Sequence, residues 1–131
     1  MSVYEKDPDV NRGFLTPDNE EQPYNSTSNG YVNQWPVFSG QGRLFGFSGY
    51  SSRTSTQFIL VFDVAGVPPS GATAVIVIPV TAGNTAGGGL FSGYFGPMGR
   101  WFRNGCYIAN SSTSPTLTIG SADTMIDAQY L

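Results

Sequence analysis

The sequence predicts an all-β protein: an antiparallel β-sandwich, jelly-roll-like, with an extended N-terminal arm. Three observations predict it. Apolar residues come in short runs with a period of two, the spacing that places alternate side chains on opposite faces of a strand. Turn signals recur about every 8–12 residues with no helical period between them, the spacing of a sandwich or barrel. Charged residues make up 11% of the chain, against about 25% in an average domain, while Gly (17) and Pro (9) are abundant. A jelly roll is preferred over an immunoglobulin-like arrangement. The 131 residues fit one sandwich domain, residues 35–131, with residues 1–34 as the arm.

The arm shows neither a period of 2 nor one of 3.6, and Pro8, Pro17 and Pro23 interrupt any regular element. It carries Tyr4, Phe14, Leu15, Tyr24, Tyr31 and Val32 as potential anchors, in the manner of segments that order on another surface. QWPVFSG and RLFGFSGY follow as two short strands with glycine bends. TQFILVFD (56–63) is the firmest strand. Phe58, Leu60 and Phe62 share one face and Gln57, Ile59, Val61 and Asp63 the other, so both faces are apolar and the strand is an inner one. AGVPPSGA (65–72) is a turn, and TAVIVIPVT (73–81) is a β-branched strand whose Pro79 places it at an edge or bulge. After the loop AGNTAGGG come LFSGYF (90–95), a turn at GPMG (96–99), NGCYIAN (104–110), TLTI (116–119) and DTMIDAQYL (123–131), seven or eight strands in all.

Charge separates the arm from the body. Residues 1–21 hold two cations against six acids, a net charge of −4, and residues 22–131 hold four cations against three acids, a net charge of +1. Four arginines neutralise few phosphates, so no nucleic-acid partner is expected. No apolar run approaches the length of a membrane span and MSVYEKDPDV lacks the regions of a signal peptide, so no membrane association is expected either.

Catalytic chemistry finds few residues to work with. The chain has no His and one Cys, which removes zinc-type metal sites and Ser-His-Asp arrangements; no enzyme activity, metal or cofactor is expected. Cys106, beside Gly105, Tyr107 and Ile108, reads as a buried inert thiol. Asp123 and Asp127 lie four apart, roughly 13 Å along a strand, which exceeds the carboxylate separations of glycosidases, so they read as strand-end polar groups. Asp63 reads as a turn acceptor for the backbone of the following AGV. AGNTAGGG lacks the Lys-Ser/Thr and helix of a phosphate loop.

The aromatic residues, 14% of the chain, point to binding. Trp35, Tyr50, Tyr94, Trp101 and Phe102 suit either a partner interface or a stacking platform for sugars. The interface is preferred, because GYFGPMGRWFRNG (93–105) combines Tyr, Phe, Met, Trp and Arg without Lys or Glu. Its Arg100 and Arg103 would bond a partner's carboxylates or carbonyls. The candidate interface residues are therefore Phe14, Tyr24, Tyr31, Trp35, Tyr94, Arg100, Trp101 and Arg103.

The string QFILVFD (57–63), then VIVIPV (75–80), GRWFRNGCYIANSSTSPTLTIGSAD (99–123) and DAQY (127–130) resembles small β-sandwich virion structural proteins of tailed bacteriophages. The resemblance covers about residues 55–131. It implies a structural role in the virion, and among such roles a capsid decoration (cement) protein is preferred. Such a protein would be assembled in the host cytoplasm, self-associate as a dimer or trimer, and bridge major capsid protein subunits. The arm would then lie across a neighbour, with Phe14, Tyr24 and Tyr31 as anchors and Glu20 and Glu21 meeting basic residues. A neck, tail, baseplate or fibre component is the alternative, and a host-glycan-binding module a second.

Overall fold

The structure, a computed structural model, describes residues 23–131. They form nine strands: β1 (Tyr24–Thr27), β2 (Gln34–Ser39), β3 (Gly42–Ser51), β4 (Gln57–Phe62), β5 (Ile76–Val80), β6 (Leu90–Tyr94), β7 (Arg100–Phe102), β8 (Gly105–Ser111) and β9 (Thr124–Tyr130). One sheet has the order β1-β9-β3-β6, with β7 also on β3; the other has the order β2-β8-β4-β5. All pairings are antiparallel.

The connectivity is that of a jelly roll. β6 pairs with Gly46–Tyr50 of β3 and β7 with Gly42–Leu44, so the two are one edge strand interrupted by residues 95–99. Counted that way, eight strands pair from the outside in: β1 with β9, β2 with β8, β3 with β6/β7, and β4 with β5. The described chain is thus one long two-stranded ribbon. It is rolled so that β9 also meets β3 and β8 also meets β4. The roll is what converts a ribbon with two apolar stripes into two facing sheets.

Alternation explains which residues fill the space between the sheets. Leu44 and Phe47 of β3, Ile59 and Val61 of β4, Phe91 of β6, Ile108 of β8, and Ile126 and Ala128 of β9 all point inward and are buried. Each larger side chain so buried contributes about 1.5–3 kcal/mol. At one end Phe38 stacks on Tyr130 at 5.3 Å between centroids and meets Phe102 edge-on at 6.0 Å, closing the core with aromatic area. The opposite face of β4 is also covered. Leu60 and Phe62 pack with Ala109 and Leu117 in a second cluster under residues 64–74 and 107–117, which is why TQFILVFD is apolar on both faces.

Three expectations are corrected. Tyr24–Thr27 belongs to the sandwich and not to an arm: β1 pairs with β9 from Tyr24↔Tyr130 to Thr27↔Asp127, and Val32 bridges to Thr124. YNST escapes a hydrophobic-pattern reading because it is an edge strand whose polar groups bond across to β9, Thr27 Oγ1 to Asp127 at 2.6 Å and Gln129 Nε2 to Asn25 at 2.9 Å. TLTI is not a ladder strand. It buries Leu117 on the outside of the second sheet, tied by Leu117 N to Ala72 O and Gly71 N to Leu117 O, both at 2.8 Å. The same contacts draw Thr73 and Ala74 away, so β5 begins only at Ile76. β4 lies between β8 and β5, as an inner strand should, and β5 with its Pro79 is an edge.

Candidate functional site

The most exposed large apolar side chains on one stretch of surface sit along the β6/β7 edge: Tyr94 is 78% exposed, Met98 72% and Trp101 61%. The local sequence puts them there. Tyr94 and Trp101 point outward, alternating with Gly93 and with Phe102, whose ring is buried in the core. Between them residues 95–99 leave the sheet in a tight excursion. Gly96 and Gly99 have φ of +81° and +73°, a backbone region that side chains disfavour, and Gly99 N bonds Gly96 O at 3.2 Å. The excursion is moored by Phe95 N to Phe45 O at 2.9 Å.

The neighbouring strand supplies the rest of the face. The register of β3 on β9 shifts between Leu44 and Gly46, a bulge that leaves Phe45 on the outer face with Arg43. The Arg43 guanidinium lies 5.2 Å over the Phe45 ring and 5.3 Å over the Trp101 ring, and reaches Met98 O at 3.4 Å. One cation thus fixes two aromatic rings and the excursion. Such contacts at exposed sites are worth about 0.5–1 kcal/mol each. Beside them a groove of about 360 Å³ is lined by Pro23, Arg43, Phe45, Tyr94, Gly96, Pro97 and Leu131. The face is mixed: aromatic and thioether surface arranged around one guanidinium.

The predicted interface residues separate into groups. Tyr94 and Trp101 lie on the outer face of this edge, whereas Arg100 lies 5.9 Å from the ring of the buried Phe102, on the other side of β7 from Trp101, and Arg103 follows in the β7–β8 turn. Tyr24 is exposed, 5.6 Å from the Tyr130 ring, next to Pro23 at the groove. Tyr31 is exposed at the opposite end, beside the Val32–Thr124 bridge, and does not join them. Trp35 is not a free platform. It packs on the core and its Nε1 donates to Ser26 Oγ at 2.8 Å, joining β2 to β1 across the mouth of the sandwich. Phe14, with Glu20 and Glu21, lies outside the described residues. Arg43 and Phe45 were missed by sequence reasoning, although, two apart in RLFGF, they share a face by strand period; Met98 fell within the stretch 93–105 singled out by composition.

The carboxylates and the thiol are occupied by structure. Asp63 does not bond the AGV backbone; Oδ1 accepts from Arg103 N at 3.1 Å and Asn104 N at 2.8 Å, and Oδ2 from Arg103 N at 3.1 Å. Partial burial pushes its carboxyl upward, but the N–H groups of Asn104, Arg103 and Gly105 and the Arg103 charge outweigh this and hold it below the ordinary value. Asp123 accepts from Asn110 Nδ2 at 2.6 Å and pairs with Arg53 Nε at 3.5 Å. Asp127 accepts from Thr27 and Gln129. Cys106 is fully buried, and burial followed by the Asp63 charge pushes its thiol far up, so no reactive thiolate is available there. Among the described residues no group of three or more His, Cys, Asp or Glu could hold a metal ion.

Comparison of the chain with protein-family models, curated proteins and solved structures finds no match. Among the described residues no helix is long and apolar enough to cross a membrane. The outer β3–β6–β7 face with its groove is a mixed aromatic surface on which Arg43 lies over Phe45 and Trp101 while Tyr94 stands exposed beside them.

Proposed function

We propose that this protein is a structural component of a tailed-bacteriophage particle, a decoration (cement) protein that seats on major capsid subunits as a dimer or trimer. The observation supporting a docking role is the β3–β6–β7 face, where Tyr94, Met98 and Trp101 stand exposed together around Arg43. Aromatic, Met and Arg side chains are the ones enriched at protein interfaces, and rigidly held aromatic rings lose little freedom on binding. Jelly rolls serve as capsid and lectin domains alike, so the fold is compatible with this role without deciding it. The capsid assignment comes from the sequence resemblance over residues 55–131. The mechanism is mass action: many copies bind the assembled shell and not its separated subunits, so the assembled state is stabilised by the binding free energy.

The test is quantitative gel analysis of purified particles of the phage encoding this chain, with binding of the purified full chain to heads stripped of it. A copy number comparable to the major capsid subunit is expected. The double variant Tyr94→Ser, Met98→Ser alters only exposed side chains and should keep the fold, while shell binding falls more than about tenfold. Few copies per particle would move the protein to the neck, tail, baseplate or fibre, and absence from particles would overturn the reading.

A further inference from the structure

We propose that the cleft between Trp101 and Asp63 is a carbohydrate subsite that takes one neutral hexopyranose ring; it adjoins the face assigned above to a protein partner and shares Trp101 with it. The cleft has a volume of about 470 Å³, within the usual range for small-ligand sites, and is lined by Gln41, Asp63, Trp101, Phe102 and Arg103. Turns from three parts of the chain converge on it. Gln41 comes from the β2–β3 turn, Asp63 follows β4, and Arg103 opens the β7–β8 turn. They are tied to one another by Gly40 N to Asn104 O at 2.9 Å and by the Asp63 bonds to Arg103 N and Asn104 N. The walls are thus set before a ligand arrives, which lowers the cost of ordering them.

The indole of Trp101 divides this cleft from the groove beside Arg43. Arg43 lies over the ring at 5.3 Å and does not line the cleft, whereas Trp101 does. The ring is still 61% exposed and borders the cleft, so indole surface is available to a ligand there. An electron-rich aromatic face held in this way suits the weakly positive C–H face of a pyranose. Around it stand the groups that read hydroxyls: the Gln41 amide as donor and acceptor, the Arg103 guanidinium as a planar donor, and Asp63 as acceptor. Asp63 takes up the Arg103, Asn104 and Gly105 N–H groups, three partners for the roughly four acceptor sites of a carboxylate, which leaves one for a ligand hydroxyl. Asp63 and Arg103 carry opposite charges, which favours a neutral ring over a phosphate or an ammonium group.

The experiment titrates the full chain with the methyl glycosides of glucose, galactose, mannose and N-acetylglucosamine, read by tryptophan fluorescence and saturation-transfer NMR. At least one should bind saturably with Kd of about 1 mM, a strength expected of a single shallow subsite. Trp101→Ala should abolish binding. Gln41→Ala, in an exposed turn where folding is undisturbed, should weaken it about tenfold. Tyr94→Ser, Met98→Ser should leave it unchanged, which distinguishes failure here from failure of the docking face. No saturable response from any of the four, binding that survives Trp101→Ala, or a response only to a lysine-containing peptide would overturn the proposal.

Discussion

Replacing Asp63 with Asn isolates the charge that ties the end of β4 to the β7–β8 turn. In the native protein the carboxylate receives the N–H groups of Arg103 and Asn104 at 2.8–3.1 Å. The amide keeps one oxygen in the same place but loses the negative charge. Hydrogen bonds to a charged acceptor contribute about 1.5–3 kcal/mol and neutral ones about 0.5–1.5, so two weakened bonds would cost about 2–3 kcal/mol if fully buried. Partial exposure of the group reduces this to about 1–1.5 kcal/mol. The pH dependence gives the sharper check. The folded carboxyl is held below its unfolded value, so its stabilisation is complete above the unfolded value of about 3.9 and is lost as pH falls through the folded value. Urea unfolding at pH 7 and at pH near 2 measures both. The gap between wild type and Asp63→Asn should be about 1–1.5 kcal/mol at pH 7 and shrink towards zero in acid. A gap that is absent at pH 7, or equal at the two pH values, would refute the assignment of the effect to the charge.

Asp123→Ala should cost about 2–4 kcal/mol in the same unfolding assay, because it removes the acceptor for the fully buried Asn110 amide and the partner of Arg53. Gly49→Ala should be destabilising by more than about 2 kcal/mol, seen as a lowered thermal midpoint, since an added Cβ would collide with Met125 O and the Phe91 ring; an unchanged midpoint would show that β3 and β9 do not approach this closely. Leu117→Ala should cost about 2–4 kcal/mol if residues 116–119 are part of the core on the outer face of the second sheet, and a near-neutral result would mean they are not. Cys106 should resist a thiol reagent in native buffer and react fully in urea; rapid native labelling would contradict its burial.

What the sequence shows of this fold follows from how far each signal reaches. In β4 alternate residues Ile59 and Val61 enter one cluster and Leu60 and Phe62 another, so burial on both faces is written within six residues. Pro79 marks an edge because a missing donor is a local fact. By contrast Tyr24–Thr27 is a strand only because β9, a hundred residues on, supplies the matching polar groups, and no local pattern in YNST announces that. The same holds for the site. Tyr94 and Trp101 were legible from composition around residues 93–105, whereas Trp35 looked equally available until Ser26 and the core claimed it. Gln41 and Asp63 become neighbours of Trp101 only through the rolled ribbon, which brings the turns after β2, β4 and β7 to one end.

The edges of the sheets constrain where recognition can occur. A jelly roll leaves four edge strands with unpaired backbone groups, each a potential template for another chain. Here β2 carries Pro36 and a register shift beside it, β5 carries Pro79, β1 has only four residues, and β6/β7 is broken by the excursion at residues 95–99. A partner adding a strand would find at most about five consecutive residues on the β6 edge, enough for few ladder bonds. Recognition by strand addition is therefore weak on every side. What is left on the β6/β7 side is the outer face and the loop end, and Trp101, with Arg43 over its ring, belongs to both. With the backbone edges blunted, side-chain chemistry is the route to recognition that does not also invite edge-to-edge polymerisation.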